Sequence, residues 1–171
     1  MKIALVGYAR SGKDTVGNML RAFHDSYVIR GAFGDQMKLS FHETFQHVPM
    51  LPKPRKEYEQ YAQSMRDIDE DVWVKAMDRE FNRFSKDANW VITDLRQQNE
   101  ERWCRENGFT IVRVDTPTVV RRLRSVGDSS FEAINNSERQ IHAIRHDYII
   151  YNNVTHEQLE KQVKQLLKEL S

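Results

Sequence analysis

The amino-acid sequence predicts an α/β protein built on a central, mainly parallel, five-stranded sheet. Short apolar runs rich in β-branched residues alternate with longer stretches of helical periodicity along the 171 residues. This alternation is typical of strands joined by crossover helices, which makes the strands parallel. The first apolar run also leads directly into a glycine-containing loop and an amphipathic helix. The length favours a single domain spanning residues 1–171.

The first strand and the first helix have the clearest signals. Residues 2–6 (KIALV) form an apolar run that ends at Gly7, as expected of a strand buried on both faces. Residues 15–23 place Val16, Met19 and Leu20 on one helical face. The same two signals predict the later elements, which are strands at 27–33, 90–95, 109–114 and 148–151 and helices at 37–45, 56–66, 71–85, 99–107, 116–126 and 156–170.

The composition excludes several classes of protein. Lys and Arg number 26 and Asp and Glu number 25, so no overall positive field attracts a nucleic acid. No apolar run approaches the ~20 residues that a bilayer span needs, and the first run is too short for a signal peptide. Cys104 is the single cysteine, which excludes an internal disulfide and a multi-cysteine zinc site. We therefore expect a cytoplasmic protein whose partner is a small molecule, and the sequence leaves a homodimer open.

The loop after the first predicted strand has the spacing of a phosphate-binding loop. Residues 7–13 (GYARSGK) match G-x-x-x-x-G-K. Its glycines let the backbone turn tightly, so that N–H groups point at phosphate oxygens, and the next helix presents its positive end to the same anion. Lys13 supplies a mobile positive charge for the β- and γ-phosphates of ATP. The motif predicts a three-layer P-loop NTPase fold.

Asp14 stands where Ser or Thr usually follows the lysine of this motif. Its carboxylate can bind Mg2+ directly or through water, because hard oxygen ligands suit this ion. The alternative is an acidic residue that stabilises the first turn of the helix. Thr15 offers a hydroxyl to a phosphate further along. The loop residues predicted to bind the nucleotide are Gly7, Arg10, Ser11, Gly12, Lys13, Asp14 and Thr15.

Five stretches of the sequence resemble, in order, the motifs of one family. The family motif is given first for each, followed by the residues of this chain that resemble it: G-x-x-x-S-G-K-D-T, residues 7–15; A-F-A-D-P-L-K, residues 32–38; D-P-D-x-W-V, residues 69–74; V-I-T-D-x-R-x-x-N-E, residues 91–100; and S-E followed by D-Y-x-I-x-N, residues 137–152. Gly34 and Gln36 replace the usual Ala and Pro of the second motif. The chain thereby resembles, over nearly its whole length, the deoxynucleoside monophosphate kinases of bacteria and their phages. These belong to the P-loop NMP-kinase-like superfamily.

This resemblance implies a nucleotide kinase. The enzyme would use ATP and Mg2+ to phosphorylate a (deoxy)nucleoside monophosphate, in nucleotide metabolism. An NMP-binding insertion would span about residues 34–88 and a short lid about residues 116–138. Two alternatives stay open: a kinase of another small metabolite, such as dephospho-coenzyme A, and an ATP-binding switch protein without an acceptor.

Two residues at the end of the third predicted strand are assigned roles by this resemblance. That strand usually lies beside the first in P-loop folds, so the Asp94 carboxylate would face the phosphate loop and hold a Mg2+-bound water. Arg96 resembles the family's phosphate-gripping arginine, and a guanidinium can donate two parallel hydrogen bonds to an acceptor phosphate. The alternative is that Asp94 and Arg96 form an ion pair in the loop.

The predicted acceptor site draws on the region that follows the second strand. Asp35 would accept a hydrogen bond or proton from the acceptor, Lys38 and Arg66 would neutralise its phosphate, and Trp73 would stack on its base. The alternatives are a helix cap, solvated side chains and ordinary aromatic packing. The full acceptor set is Asp35, Lys38, Arg66, Trp73, Asp94, Arg96 and Glu100.

Two arginines and one asparagine complete the predicted site. Arg121 and Arg124 lie three residues apart on one helical face, as expected of a lid that closes over the donor phosphates and excludes water. The alternative is a solvated basic helix. Asn152 follows the last strand, where this superfamily often contacts adenine. The residues expected to act in catalysis are Lys13, Asp35, Arg96, Arg121 and Arg124.

Overall fold

All five strands of the sheet run parallel in the computed structural model, which describes residues 1–126, 138 and 140–170. The strands are β1 (Lys2–Val6), β2 (Val28–Gly31), β3 (Asn89–Leu95), β4 (Thr110–Asp115) and β5 (Tyr148–Tyr151). Their spatial order is β2-β3-β1-β4-β5, so β1 lies between β3 and β4. The predicted α/β class is confirmed, as is the pairing of the third strand with the first. The sheet is wholly rather than mainly parallel.

The register of the strands brings their carboxyl ends to one edge of the sheet. Val6 pairs with Leu95 of β3 and with Arg113 of β4. Ligands of parallel α/β sheets bind beyond this edge. Residues that follow β1, β3, β4 and β5 are therefore in position to form one site.

The chain divides into two units, Met1–Gly31 with Asp87–Ser171, and Ala32–Lys86. The first unit contains the sheet together with α1 (Lys13–Phe23), α5 (Gln98–Glu106), α6 (Thr118–Leu123), α7 (His156–Glu169) and a short 3-10 helix at Ile141–Ala143. The second unit contains α2 (Phe33–Thr44), α3 (Arg55–Ile68) and α4 (Val72–Phe81). Among the described residues, none of the helices has the length and the apolar character that a membrane-spanning helix needs.

The core of the first unit lies between the sheet and two helices. Val16 and Leu20 of α1 and Val163 of α7 are fully buried against the alternating strand residues Ile3 and Leu5. Residues i and i+2 of a strand share one face, and residues i and i+4 of a helix do too. The spacing in the sequence therefore positions α1 firmly on the sheet, directly after the phosphate loop.

Aromatic side chains form the core of the second unit. The rings of Phe41 and Tyr58 meet edge to face with centroids 5.1 Å apart, and the ring of Tyr61 lies 6.2 Å from that of Trp73. The Trp73 indole is buried and its N–H donates to the carbonyl oxygen of Ala62 at 3.3 Å. Packing explains these aromatic residues within the unit.

Several elements are shorter than the sequence predicts, and local geometry explains each difference. β2 stops at Gly31 because α2 already begins at Phe33. α4 ends at Phe81, where the N–H of Phe84 bonds to the carbonyl of residue 81 in a tighter turn. α6 begins after Pro117, a residue without an N–H to donate, and covers only six residues. Of the predicted lid, residues 127–137 lie outside the described residues.

Candidate nucleotide-binding site

The phosphate loop makes a tight turn between β1 and α1. Arg10 and Gly12 have φ values of +62° and +91°, both in the left-handed region. The N–H of Ser11 donates to the carbonyl oxygen of Tyr8 at 3.1 Å. At Gly7, a Cβ would lie 2.6 Å from the carbonyl oxygen of Val114, so β4 passes too close for any side chain. The two glycines of the motif are therefore required by the turn and by the neighbouring strand.

Lys13 is the first residue of α1, and its side chain folds back into the loop. Only 9% of the residue is exposed, and its Nζ donates to the carbonyl oxygens of Gly7 at 2.6 Å and Tyr8 at 3.0 Å. Burial first, and then the positive charge of Arg96, lower the pKa of the ammonium from 10.5 to about 8. A buried cation with a lowered pKa is stabilised by an incoming anion, as a phosphate ligand requires.

Three carboxylates partly offset this decrease in the pKa of Lys13. The negative charges of Glu138, Asp14 and Asp94 each raise it. Opposite charges favour the charged form of a group when they lie close to it. Asp14 of the phosphate loop and the pair Asp94 and Arg96 of a second motif thus act electrostatically on the same ammonium.

The lowered pKa of Lys13 predicts a pH dependence of stability. Between pH 8 and 10.5 the unfolded chain holds a proton on Lys13 that the folded chain has released, so the free energy of unfolding should rise with pH across this window. A difference of this size corresponds to about 3–4 kcal/mol. Denaturant unfolding of the wild type and of Lys13→Met at several pH values isolates this effect.

The difference in the free energy of unfolding between the wild type and Lys13→Met, followed with pH, tests whether the pKa of Lys13 is lowered in the folded chain. Lys13→Met should be the more stable protein below pH 8, because it avoids burying a charge, and this advantage should shrink as the pH rises to 10.5. Parallel profiles across the window would show that Lys13 has an ordinary pKa in the folded chain.

Residues after β4 and β5 hold the loop from the other side. Thr116 Oγ1 and Asn152 Nδ2 both donate to the carbonyl oxygen of Ser11, at 2.9 and 2.8 Å. The backbone N–H of Asn152 donates in turn to the carbonyl oxygen of Asp115 at 2.8 Å. All of these polar side chains are buried. Asn152 therefore fixes the phosphate loop, and its predicted contact with adenine stays a prediction.

Both predicted lid arginines lie beside the phosphate loop. The Arg124 guanidinium donates to the carbonyl oxygens of Arg10 at 3.2 Å and Asn152 at 2.8 Å. Arg121 lies over the Tyr8 ring, with its Cζ 4.8 Å from the ring centroid. These contacts bring α6 to the loop, whereas closure over donor phosphates stays a prediction.

The turn after β3 is fixed by a buried carboxylate. Glu100 Oε2 accepts hydrogen bonds from the backbone N–H groups of Arg96 at 2.8 Å and Gln97 at 3.1 Å. Glu100 lies in the first turn of α5, where a negative charge is favourable. It therefore positions the backbone that carries Arg96. A direct contact of Glu100 with substrate stays a prediction.

The predicted acceptor residues of the second unit lie on three helices. Asp35 and Lys38 of α2 form an ion pair at 3.1 Å. Arg66 lies in the last turn of α3, and Trp73 lies in the first turn of α4. The structure brings Asp35 and Lys38 together, and the roles of all four residues in acceptor binding stay predictions.

Sequence reasoning missed three residues of this site. Glu138 Oε1 accepts a hydrogen bond from the N–H of Ala9, a residue of the phosphate loop, at 2.7 Å. Tyr8 carries the ring beneath Arg121, and Thr116 contacts the Ser11 carbonyl. A position directly after a strand could have indicated Thr116, and the S-E pair among the family motifs could have indicated Glu138. Tyr8 had no signal, because its motif position accepts any residue.

The sheet topology, the phosphate loop and the buried lysine together define a P-loop kinase-like fold. The chain belongs to the family described as "AAA domain", whose model matches residues 3–143. No curated protein matches the chain by sequence.

Similar solved structures cover nearly the whole chain at low identity. TT1252 from Thermus thermophilus is 18% identical, with a TM-score of 0.61, covering 100% of this chain and 98% of that one. Shikimate kinase from Aquifex aeolicus is 16% identical, with a TM-score of 0.55 and coverages of 99% and 98%. A gluconokinase from Sinorhizobium meliloti is 13% identical, with a TM-score of 0.58 and coverages of 99% and 92%. At these identities the likeness concerns the fold.

Proposed function

We propose that the protein is a kinase that transfers the γ-phosphoryl group of ATP to a (deoxy)nucleoside monophosphate. The observation that supports this most directly is the burial of Lys13 at the phosphate loop, together with the charged side chains that surround it. It is buried against the phosphate loop, and the charges of Arg96, Asp94 and Asp14 all act on its pKa. Phosphoryl transfer depends mainly on positioning and on neutralising phosphate charge, which is what such a cluster provides.

On the donor side, the loop and its neighbours would hold ATP. Lys13 already donates to two loop carbonyls, so an incoming phosphate would replace neutral acceptors with anionic ones and strengthen its hydrogen bonds. Arg121 of α6 and Arg124, the residue that follows this helix, lie beside the loop and would add positive charge near the donor phosphates. Asn152 would orient the loop and contact the base.

On the acceptor side, Arg96 favours a substrate that carries a phosphate. The positive charge of its guanidinium lowers the pKa of Lys13, so the two cations repel each other, and the carboxylates of Glu138, Asp14 and Asp94 only partly offset this effect. A second phosphate would relieve this repulsion. The roles that the family resemblance implies for Asp35, Lys38, Arg66 and Trp73 in acceptor binding belong to the same proposal.

Asp14 and Asp94 fit the Mg2+ ion that this reaction needs. Both carboxylates raise the pKa of Lys13, so both lie near the expected phosphates. Within the described part of the chain, no cluster of three or more His, Cys, Asp or Glu residues could hold a metal ion. Mg2+ in kinase sites is typically held by one or two carboxylates together with substrate phosphates, and it neutralises charge on the phosphates.

The test is an assay of ADP release with Mg2+–ATP and each common ribo- and deoxyribonucleoside monophosphate in turn. We expect turnover with one or a few of them. A protein that binds ATP but responds to none would not be a nucleoside monophosphate kinase. The same assay with shikimate, gluconate and dephospho-coenzyme A identifies a kinase of another metabolite. ATP binding without turnover on any acceptor identifies a switch protein.

A kinase of a different small metabolite is the second candidate. The observation that favours it is the likeness in fold to a shikimate kinase and a gluconokinase. Neither name is that of a nucleotide kinase. Against it stands Arg96, a second cation whose charge acts on Lys13, because an acceptor without a phosphate needs fewer cations.

Arg96→Ala should weaken acceptor binding more than ATP binding. Losing a bidentate, charge-assisted contact to the acceptor phosphate should raise the KM of the acceptor about 10- to 100-fold. Steady-state kinetics with each substrate varied in turn provides the measurement. Arg102→Ala, an exposed residue on α5, is the matched control and should leave both KM values unchanged. Equal increases in both KM values for Arg96→Ala would contradict an acceptor role.

A further inference from the structure

A carboxylate lies against the phosphate loop at a place where nucleotide phosphates are expected. Glu138 Oε1 accepts a hydrogen bond from the backbone N–H of Ala9 at 2.7 Å. Only 8% of Glu138 is exposed, so its side chain is buried at the loop rather than in solvent. Ala9 is the third residue of the G-x-x-x-x-G-K motif.

The chemistry of this contact is that of an anion ligand. Loop N–H groups of this kind form concavities that bind phosphate oxygens, and an ionised carboxylate offers them the same type of acceptor. The negative charge of Glu138 also raises the pKa of Lys13, the cation of the loop. Glu138 therefore acts on two groups that would otherwise serve the nucleotide.

We propose that Glu138 is an affinity-determining residue of this site, whose carboxylate competes with nucleotide phosphates for the loop. Two anions within a few ångströms repel each other strongly in a partly buried site. A nucleotide must therefore displace the carboxylate or bind beside it, and either event weakens binding. Glu138 lowers the affinity of the loop for anions and speeds the release of the product ADP. The inference rests on the proposed function only in that the loop binds ADP.

Glu138→Gln separates the charge from the hydrogen bond. The amide keeps an Oε1 acceptor for the Ala9 N–H but removes the negative charge, whereas Glu138→Ala removes both. If Glu138 only supports the loop, the Gln variant should bind nucleotide like the wild type and the Ala variant should bind it more weakly. A residue that competes with phosphate would give tighter binding in both variants.

The experiment is isothermal titration of ADP and of inorganic tripolyphosphate, without Mg2+, into the wild type and both variants. We expect Glu138→Gln to bind ADP about 3- to 30-fold more tightly than the wild type. The control is Glu169→Gln, the same change in the last turn of α7, where the Glu169 carboxylate accepts from Gln165 Nε2 at 2.9 Å. This control should bind like the wild type. If Glu138→Ala does not fold, Glu138→Gln decides the result.

Unchanged or weaker ADP binding by Glu138→Gln would overturn the proposal and make Glu138 a support of the loop. The proposal would also be overturned if the wild type and Glu138→Gln both failed to bind ADP and tripolyphosphate. The kinase function fails separately, if ADP binds but no acceptor supports turnover. In that case the two ADP affinities still decide the role of Glu138.

Discussion

Lys13→Met is expected to lower the rate of phosphoryl transfer by at least about 30- to 200-fold while the chain stays folded. The Lys13 ammonium is buried in the loop and is held by the carbonyl oxygens of Gly7 and Tyr8. A methionine has similar length and fills the same apolar path, but it offers no charge to the transferring phosphate. The measurement is kcat and KM for ATP with the acceptor that the wild type accepts.

The matched control for this change is Lys2→Met. Lys2 begins β1, and its Nζ donates to the carbonyl oxygen of Asn107 at 3.3 Å, at the amino end of the strand. It should retain normal turnover. Near-normal turnover by a folded Lys13→Met protein would show that this lysine does not stabilise the transition state.

Gly12→Ala is expected to lower the free energy of unfolding by about 2–4 kcal/mol and to weaken nucleotide binding. Gly12 has a φ of +91°, which is strained for alanine, and its new Cβ would lie 2.0 Å from Asn152 Nδ2. The amide would have to move, and its buried hydrogen bond to the Ser11 carbonyl would be lost. Denaturant unfolding and ADP titration measure the two effects.

Two comparisons identify the cause of this loss. Gly108 has a φ of +76° but no atom within 4 Å of an added Cβ, so Gly108→Ala should cost only the backbone strain, about 1 kcal/mol. In an Asn152→Ala background the clash at Gly12 is absent, and Gly12→Ala should cost less than in the wild type. An equal cost in both backgrounds would mean that the Asn152 side chain does not oppose the substitution.

The sequence was sufficient for most of the fold because the buried strands are short apolar runs. β1 has the bounds that the sequence predicts, and β5 also matches, since turns and polar residues delimit both. The boundaries that differ are those set by tertiary packing. Phe33 illustrates this, because its apolar side chain extends the predicted second strand although it is buried as the first residue of α2.

The site could be predicted only where a motif fixes the position of a residue along the chain. Lys13 and Gly12 follow from the spacing of the phosphate loop. Glu138 lies 129 positions from Ala9, and no periodicity connects them. Arg124 was assigned by its charge, but its hydrogen bonds to backbone carbonyls of the loop depend on how α6 packs. Long-range contacts of this kind follow from topology and not from local pattern.

The connection between β2 and β3 has a consequence for protein engineering. These strands are parallel neighbours, with Val28 beside Asn89 and Gly31 beside Ile92. The chain therefore leaves the sheet at the carboxyl end of β2 and must return to the opposite side, at the amino end of β3. Such a crossover needs about a dozen residues or more. Residues 32–86, the second unit, form this crossover. Any segment grafted in place of residues 32–86 must therefore be long enough to run from the carboxyl end of β2 back to the amino end of β3, which a direct join of the two strands is not.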